Sequence, residues 1–335
     1  MKAFVMTRYG GPEVTELRDM PRPVPAPGEV LVKVCAAGLN PVDYKIRVGM
    51  LKAIQRYAMP AIMGNELAGV VETVGEGATR FAPGERIYAR VPKEDMGAFA
   101  EYAVVPEHHC AAMPASIDFT QAAGIPLAGL TALQALRDEL DIQPGQHVFI
   151  SGGAGGVGSF AIPIAKWLGA RVTTTASPRG RELVERLGAD RVIDYTSEKF
   201  EDVLDMVDAA FDLIGGETLT RTFRIVKRGG TVLSIAGMPE PQTATKDLER
   251  GFPLTALFWV ISLKYRIQAK RHGVNYRYLF MRPDGPGLAD LASLVDAGKI
   301  SPIIDQAMPF DRIAEALAYL EEGHAKGKVV VTMVD

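Results

Sequence analysis

Residues 151–158 read Ser-Gly-Gly-Ala-Gly-Gly-Val-Gly, and within them Gly153-x-Gly155-x-x-Gly158 has the spacing of a dinucleotide-binding loop. Glycines let the backbone turn tightly and approach a pyrophosphate, whose charge then meets free N–H groups and the positive end of the next helix. That spacing alone is a weak signal. Here the apolar strand His147–Ser151 precedes it and a helix-periodic stretch, 156–168, follows, which is the setting such chemistry needs. Gly153, Ala154, Gly155, Gly156, Val157 and Gly158 are therefore candidate cofactor-binding residues. Pro163, which has no N–H, is expected to disturb the helix that follows.

The residues after the next strand choose between nicotinamide cofactors. An NAD site places Asp or Glu there to accept from the ribose 2′-hydroxyl. This chain reads Ala176-Ser177-Pro178-Arg179-Gly180-Arg181, with no acid until Glu182. A hydroxyl and two guanidiniums suit a 2′-phosphate, because Arg forms bidentate charge-assisted bonds to it. Ser177 and Arg179 join the candidate set, with Tyr195 at the end of the third strand, and NADP is favoured. Thr131, Ile214, Ala236 and Phe280 complete the set. Tyr195 and Lys199 also read Y-x-x-x-K, a catalytic pair of short-chain dehydrogenases, but they follow the glycine loop too closely, and the match is a coincidence.

The elements that must position these residues change character along the chain. Up to about Pro114, short apolar runs alternate with Gly/Pro turns: Lys2–Thr7, Glu29–Cys35, Leu67–Val74, Arg86–Val91 and Glu101–Val105. Such spacing predicts an antiparallel, barrel-like domain. After a helical stretch, Asp118–Leu136, apolar strands (147–151, 171–176, 191–195, 209–214, 230–236) alternate with helical stretches (156–168, 179–187, 197–207, 217–227). Alternation of that kind predicts a doubly wound parallel sheet. Tyr276–Met281 is a further candidate strand. Two helical patterns, Gly287–Ala297 and Asp311–Glu322, precede a last strand, Lys328–Met333.

Composition sets outer limits. The chain has 335 residues, 37 Lys+Arg against 40 Asp+Glu and a formal net charge of −3, which argues against a strongly electrostatic nucleic-acid binder. Cys35 and Cys110 are its two cysteines, too few for a disulfide framework or a four-cysteine zinc lobe. No targeting segment is read at the N-terminus, so a cytoplasmic, soluble protein is expected. The most apolar run, Pro253–Leu263, is too short to span a membrane and reads as a buried or pocket-lining helix.

Three further segments carry a resemblance. Ala37-Gly38-Leu39-Asn40-Pro41-Val42-Asp43-Tyr44-Lys45, then Gly64-Asn65-Glu66-Leu67-Ala68-Gly69, then Gly152–Gly158 resemble the medium-chain dehydrogenase/reductase superfamily. The similarity is to its zinc-independent quinone oxidoreductase and enone reductase branch, and it extends through Asp212-Leu213-Ile214-Gly215-Gly216 to Gly327-Lys328-Val329-Val330. It implies an α/β protein with a GroES-like, mostly antiparallel β catalytic domain (1–122 and 283–335) around a Rossmann NADP-binding domain (123–282), usually as a homodimer.

The departures are informative. Zinc-dependent relatives carry a ligating Cys where this chain has Asn40 and a Gly-His-Glu motif where it has Gly64-Asn65-Glu66. Catalytic zinc needs three good ligands, so the site is expected to be metal-free. Cys35 and Cys110 read as small core residues. His108 and His109, read as strand neighbours, face opposite sides and cannot share an ion.

Without a Lewis acid, the fitting chemistry is hydride transfer from NADPH to an activated small-molecule acceptor, a quinone or an α,β-unsaturated carbonyl. Donors must then stabilise charge developing on the carbonyl oxygen. Tyr44 and Lys45 are the candidate donors, with Asn40 beside the nicotinamide. A matching lysine lines the site of several enone reductases. An enoyl-thioester reductase, with Lys264, Arg266, Lys270 and Arg271 forming a basic channel, and a catalytically quiet NADPH-binding scaffold are the alternatives. Phe252–Ile261 and Tyr278–Met281 are expected to wall the pocket.

Overall fold

The computed structural model describes residues 1–333. The chain separates into two compact units, Met1–Leu130 with Pro283–Asp335, and Thr131–Arg282.

The first unit is organised on the long strand Glu29–Leu39. Strand Glu66–Val74 pairs with it along one side, and Tyr102–Pro106 and Lys328–Thr332 share the other, all antiparallel. Arg86–Arg90 and Cys110–Ala112 extend the sheet at one edge, and Ile304–Pro309 at the other. A smaller sheet sets Lys2–Met6 between Thr15–Asp19 and Ala61–Ile62. Val30, Val32, Val34, Leu67 and Val71 fill one buried cluster with Phe4, Met63 and Phe99. The last strand matters most for the site: it pairs Val329 with Leu39 and so carries Lys328 to the end of the central strand, beside Asn40.

The second unit is a six-stranded sheet whose ladders are all parallel. Its order is Arg191–Asp194, Arg171–Ala176, His147–Ile150, Val207–Asp212, Val226–Ser234, Asn275–Tyr278. Val148, Phe149, Ile150, Ala210 and Phe211 are fully buried, as strands covered on both faces require. The order reverses between His147–Ile150 and Val207–Asp212. Ligands of doubly wound sheets bind at that reversal, beyond the carboxyl ends of the strands.

Several local expectations change. The helical stretch 118–136 is broken into Phe119–Ala123, Pro126–Leu133 and a π-helical turn, Gln134–Glu139. Asp118 caps the first piece by accepting from Gln121 N–H (2.8 Å), and Pro126, without an N–H to pair, starts the second. The helix expected over 197–207 contracts to Phe200–Val203, because Asp194 O already holds the N–H groups of Ser197 and Glu198 in a turn. Pro163 lies buried inside Gly158–Trp167, and that helix continues past it. His108 and His109 belong to a 3-10 turn, not a strand, with ring centroids 4.2 Å apart.

The largest correction concerns Pro253–Leu263. The run does form a helix, Phe252–Ile261, but of its residues only Phe258 is buried, and a second helix, Leu263–His272, follows directly. It is not a buried element.

Candidate functional site

The first unit buries a charged network at the carboxyl end of Glu29–Leu39. Asn40 ends the strand and caps the helix Pro41–Arg47, where Pro41 occupies the first turn. Its amide Nδ2 donates to Glu66 Oε1 (2.6 Å), and its Oδ1 accepts from the Lys328 ammonium. Lys328 Nζ also donates to Glu66 Oε1 (2.7 Å) and to Leu39 O (3.1 Å). Glu66 Oε2 accepts from Leu127 N–H (2.6 Å). A Cβ on Gly38 would lie 2.3 Å from Glu66 Oε1, so the glycine leaves room for the carboxylate.

Asp43 forms the second half of this network. Its Oδ2 accepts from Asn40 N–H (2.7 Å) and its Oδ1 from Asn65 Nδ2 (2.6 Å). Burial raises its carboxyl to about 6, against the lowering effect of those two bonds; Glu66 adds to the rise and Lys328 opposes it. Arg90, also buried, donates to Asn65 O (3.0 Å), and burial lowers its guanidinium from the usual range. Asn65 Oδ1 is a buried acceptor with no partner among the described residues.

Asn40, Tyr44 and Lys45 thus share one strand–helix junction, but in different settings. Asn40 is fully engaged in the network. Tyr44 and Lys45 sit half-buried on the short helix. Burial raises the Tyr44 phenol, with Glu321 adding to the shift, and burial lowers the Lys45 ammonium. Tyr44 also packs against the buried apolar cluster of this unit. Both keep donors suited to a polarised oxygen.

In the second unit, the glycine loop joins strand His147–Ile150 to helix Gly158–Trp167. Gly152 N–H donates to Thr175 Oγ1 (2.9 Å) and Gly153 N–H to Thr175 O (3.1 Å), tying the loop to the neighbouring strand. The glycines have distinct roles. A Cβ on Gly158 would lie 2.6 Å from the carbonyl oxygens of Gly152 and Gly153, and one on Gly153 would lie 2.2 Å from Thr174 Oγ1. Gly155 is open, with its closest such contact at 3.5 Å. The N–H groups of Ala154 and Gly156 make no hydrogen bond among the described residues. An open glycine, two unsatisfied donors and a ten-residue helix with its N-terminus there fit a pyrophosphate.

Asp212 fastens the crevice from below. It is buried at the end of its strand and accepts from Ser151 Oγ (3.1 Å), Ser234 Oγ (2.7 Å) and Gly215 N–H (3.0 Å), joining three strand ends. Ile214 lies against Gly152, where a Cβ would be 2.7 Å from Ile214 Cδ1, and Gly215 packs on Ala236. Gly180 approaches Ala154, so the start of helix Pro178–Arg186 adjoins the loop, with Ser177 half-buried and Arg179 exposed there. Arg181 is instead directed along its own helix to Glu185 (3.4 Å). Asp194 lies level with Ala176 on the adjacent strand, but its Oδ1 accepts from the N–H (2.9 Å) and hydroxyl (2.7 Å) of Thr196. Tyr195 is exposed beside it. Thr131 is buried in Pro126–Leu133, and Phe280 is fixed through its N–H to Asp247 Oδ2 (2.9 Å).

Comparison with known proteins accords with this geometry. Residues 26–115 match the family model of the alcohol dehydrogenase GroES-like domain, and residues 187–331 that of a zinc-binding dehydrogenase. The chain is 36% identical to the chloroplastic NADPH-dependent alkenal/one oxidoreductase of Arabidopsis thaliana over 99% of this chain and 79% of that protein. The quinone oxidoreductase of Coxiella burnetii superposes with a TM-score of 0.86 at 30% identity, covering 100% of this chain and 99% of that one. The chain belongs to the quinone oxidoreductase branch of the medium-chain dehydrogenase/reductase superfamily. A further member, the Escherichia coli quinone oxidoreductase complexed with NADPH, is 25% identical with a TM-score of 0.82, over 99% of this chain and all of that one, 100%.

Membership raises the question of zinc, which the second family model carries in its name. The donors at the family's ligand positions do not fit it. Both Glu66 oxygens and Asn40 Oδ1 are engaged by N–H donors, one of them a cationic ammonium. That leaves Asn65 Oδ1, a single neutral oxygen, where a catalytic zinc takes three N, S or O ligands. No group of three His, Cys, Asp or Glu side chains with metal-binding geometry occurs among the described residues.

Proposed function

We propose that this oxidoreductase transfers hydride from NADPH to a quinone or to the β-carbon of an α,β-unsaturated carbonyl, without zinc. The observation that carries the reading is the open glycine loop beside Ser177 and Arg179, in a chain of this family. Ala154 and Gly156 N–H groups hold the pyrophosphate, and Ser177 and Arg179 hold the 2′-phosphate. Bound NADPH supplies the hydride.

The chain's own residues handle the acceptor. Tyr44 and Lys45 donate to the acceptor oxygen as charge accumulates on it, a role favoured by partial burial, which strengthens such bonds. Asn40 is held in one orientation by Glu66 and Lys328. The engaged oxygens of Glu66 support the metal-free reading, and metal-free donors suit acceptors already activated by conjugation.

A homodimer joined through the edge strand Asn275–Tyr278 is supported by its unpaired side, and a cytoplasmic location remains part of the reading. Oxidation of NADPH with a panel of quinones and enones, with and without a chelator, tests the proposal. Turnover that favours NADPH and survives chelation is expected. No turnover, or turnover that needs added zinc, would contradict it.

A further inference from the structure

The segment from Arg250 to Pro283 contains no Asp or Glu, yet holds Arg250, Lys264, Arg266, Lys270, Arg271, Arg277 and Arg282, in a chain of net charge −3. Its middle forms the consecutive helices Phe252–Ile261 and Leu263–His272. Their buried positions, Phe258, Ser262, Tyr265 and Ala269, repeat at three- and four-residue steps, so a single narrow stripe is buried. Most of the remainder is exposed. The first helix presents Phe252 (82% exposed), Val260 (62%) and Trp259 (50%) with Leu257 and Ile261; the second adds the cations Lys264, Lys270 and Arg271 beside Leu263 and Ile267.

Among the described residues none of Lys264, Arg266, Lys270 and Arg271 forms an ion pair, whereas Arg277 is enclosed by Glu139, Glu240 and Asp247. Arg266 stacks over Trp259, with its guanidinium carbon 5.6 Å from the ring, and its Nη1 is buried without a partner. The two helices are therefore joined at a cation–aromatic contact that retains an unsatisfied donor.

We infer that these helices dock the protein on an anionic membrane surface. Phe252, Trp259 and Val260 enter the boundary between headgroups and acyl chains, while Lys264, Arg266, Lys270 and Arg271 meet lipid phosphates. No described helix is long and apolar enough to cross a bilayer, so the contact is interfacial. The edge strand Asn275–Tyr278 stays available for the proposed dimer; on the exposed face of the two helices a second copy is the poorer occupant, because a two-fold contact there brings Lys264, Lys270 and Arg271 of both copies together.

The test uses the full chain and vesicles of phosphatidylcholine with or without phosphatidylglycerol. Co-sedimentation with the anionic vesicles only, weakened by salt, is expected. Lys270→Glu with Arg271→Glu weakens the partition about tenfold or more. Trp259→Ser with Val260→Ser does so comparably, with far-ultraviolet circular dichroism and the melting temperature unchanged. In a Trp167→Phe background, Trp259 fluorescence shifts to the blue on binding. Absence of binding overturns the inference. So does binding that ignores the apolar substitutions, which marks a general polyanion contact. A self-association abolished by those substitutions without vesicles would assign the face to a second copy instead.

Discussion

The Lys328 ammonium donates to Glu66 Oε1 across 2.7 Å, with both side chains buried and 262 positions apart in the chain. The last strand of the first unit thereby delivers a cation to the carboxylate of its second long strand. Asn40 is bonded to both, so its orientation depends on the pair.

Removing one partner strands the other without water. Lys328→Met is expected to cost about 3–5 kcal/mol of stability, and Lys328→Met combined with Glu66→Gln to recover part of that loss. Urea unfolding of the single and double variants checks this. Equal loss in both would show that the pair is not what Lys328 supports.

Asp43 gives the network a pH signature. Its carboxyl is raised in the fold from 3.8 to about 6, so the folded state favours the protonated form. That contribution is complete below the unfolded value and is lost as pH rises through about 6. Between pH 5 and 7 the loss amounts to roughly 1 kcal/mol. Asp43→Asn, which cannot ionise, should flatten the stability profile over that interval, as measured by urea midpoints at the two pH values.

The glycine loop separates a folding role from a binding role. Gly158→Ala forces a Cβ to 2.6 Å from two carbonyl oxygens and should destabilise the second unit by about 2 kcal/mol or more. Gly155→Ala meets little of the protein and should leave the melting temperature nearly unchanged while weakening NADPH binding. Calorimetric melting and NADPH titration of the two variants distinguish these outcomes.

Arg179→Ala removes the charge proposed for the 2′-phosphate. NADPH binding should weaken about tenfold or more, the worth of a charge-assisted bond, with NADH binding little altered. A parallel loss for both cofactors would point to a general defect in the loop.

Much of this was legible in the residues. Strand–helix alternation gave the parallel sheet, because buried strands and amphipathic helices have different periods. The glycine loop was recognisable because its strand and helix flank it. Asn40 and Asn65 were recognisable as amides standing where zinc-dependent relatives carry a thiolate or an imidazole.

What replaced those ligands was not legible. The partners Glu66 and Lys328 meet only through strand pairing, which no local pattern encodes. Lys328 opens an apolar strand, and nothing in its neighbours along the chain names its buried partner. The exposure of Phe252–Ile261 escapes the sequence for a related reason: apolar content without polar alternation signals burial, and only the fold shows that the described residues leave most of this helix uncovered.

Hydride delivery to a conjugated carbon leaves a label that can be followed. The protein is given an enone with NADPH carrying deuterium at its transferable position, after treatment with a metal chelator, and the product is read by nuclear magnetic resonance. Deuterium is expected on the β-carbon of a saturated ketone. Deuterium on the carbonyl carbon of an alcohol, or none in the product, would contradict it.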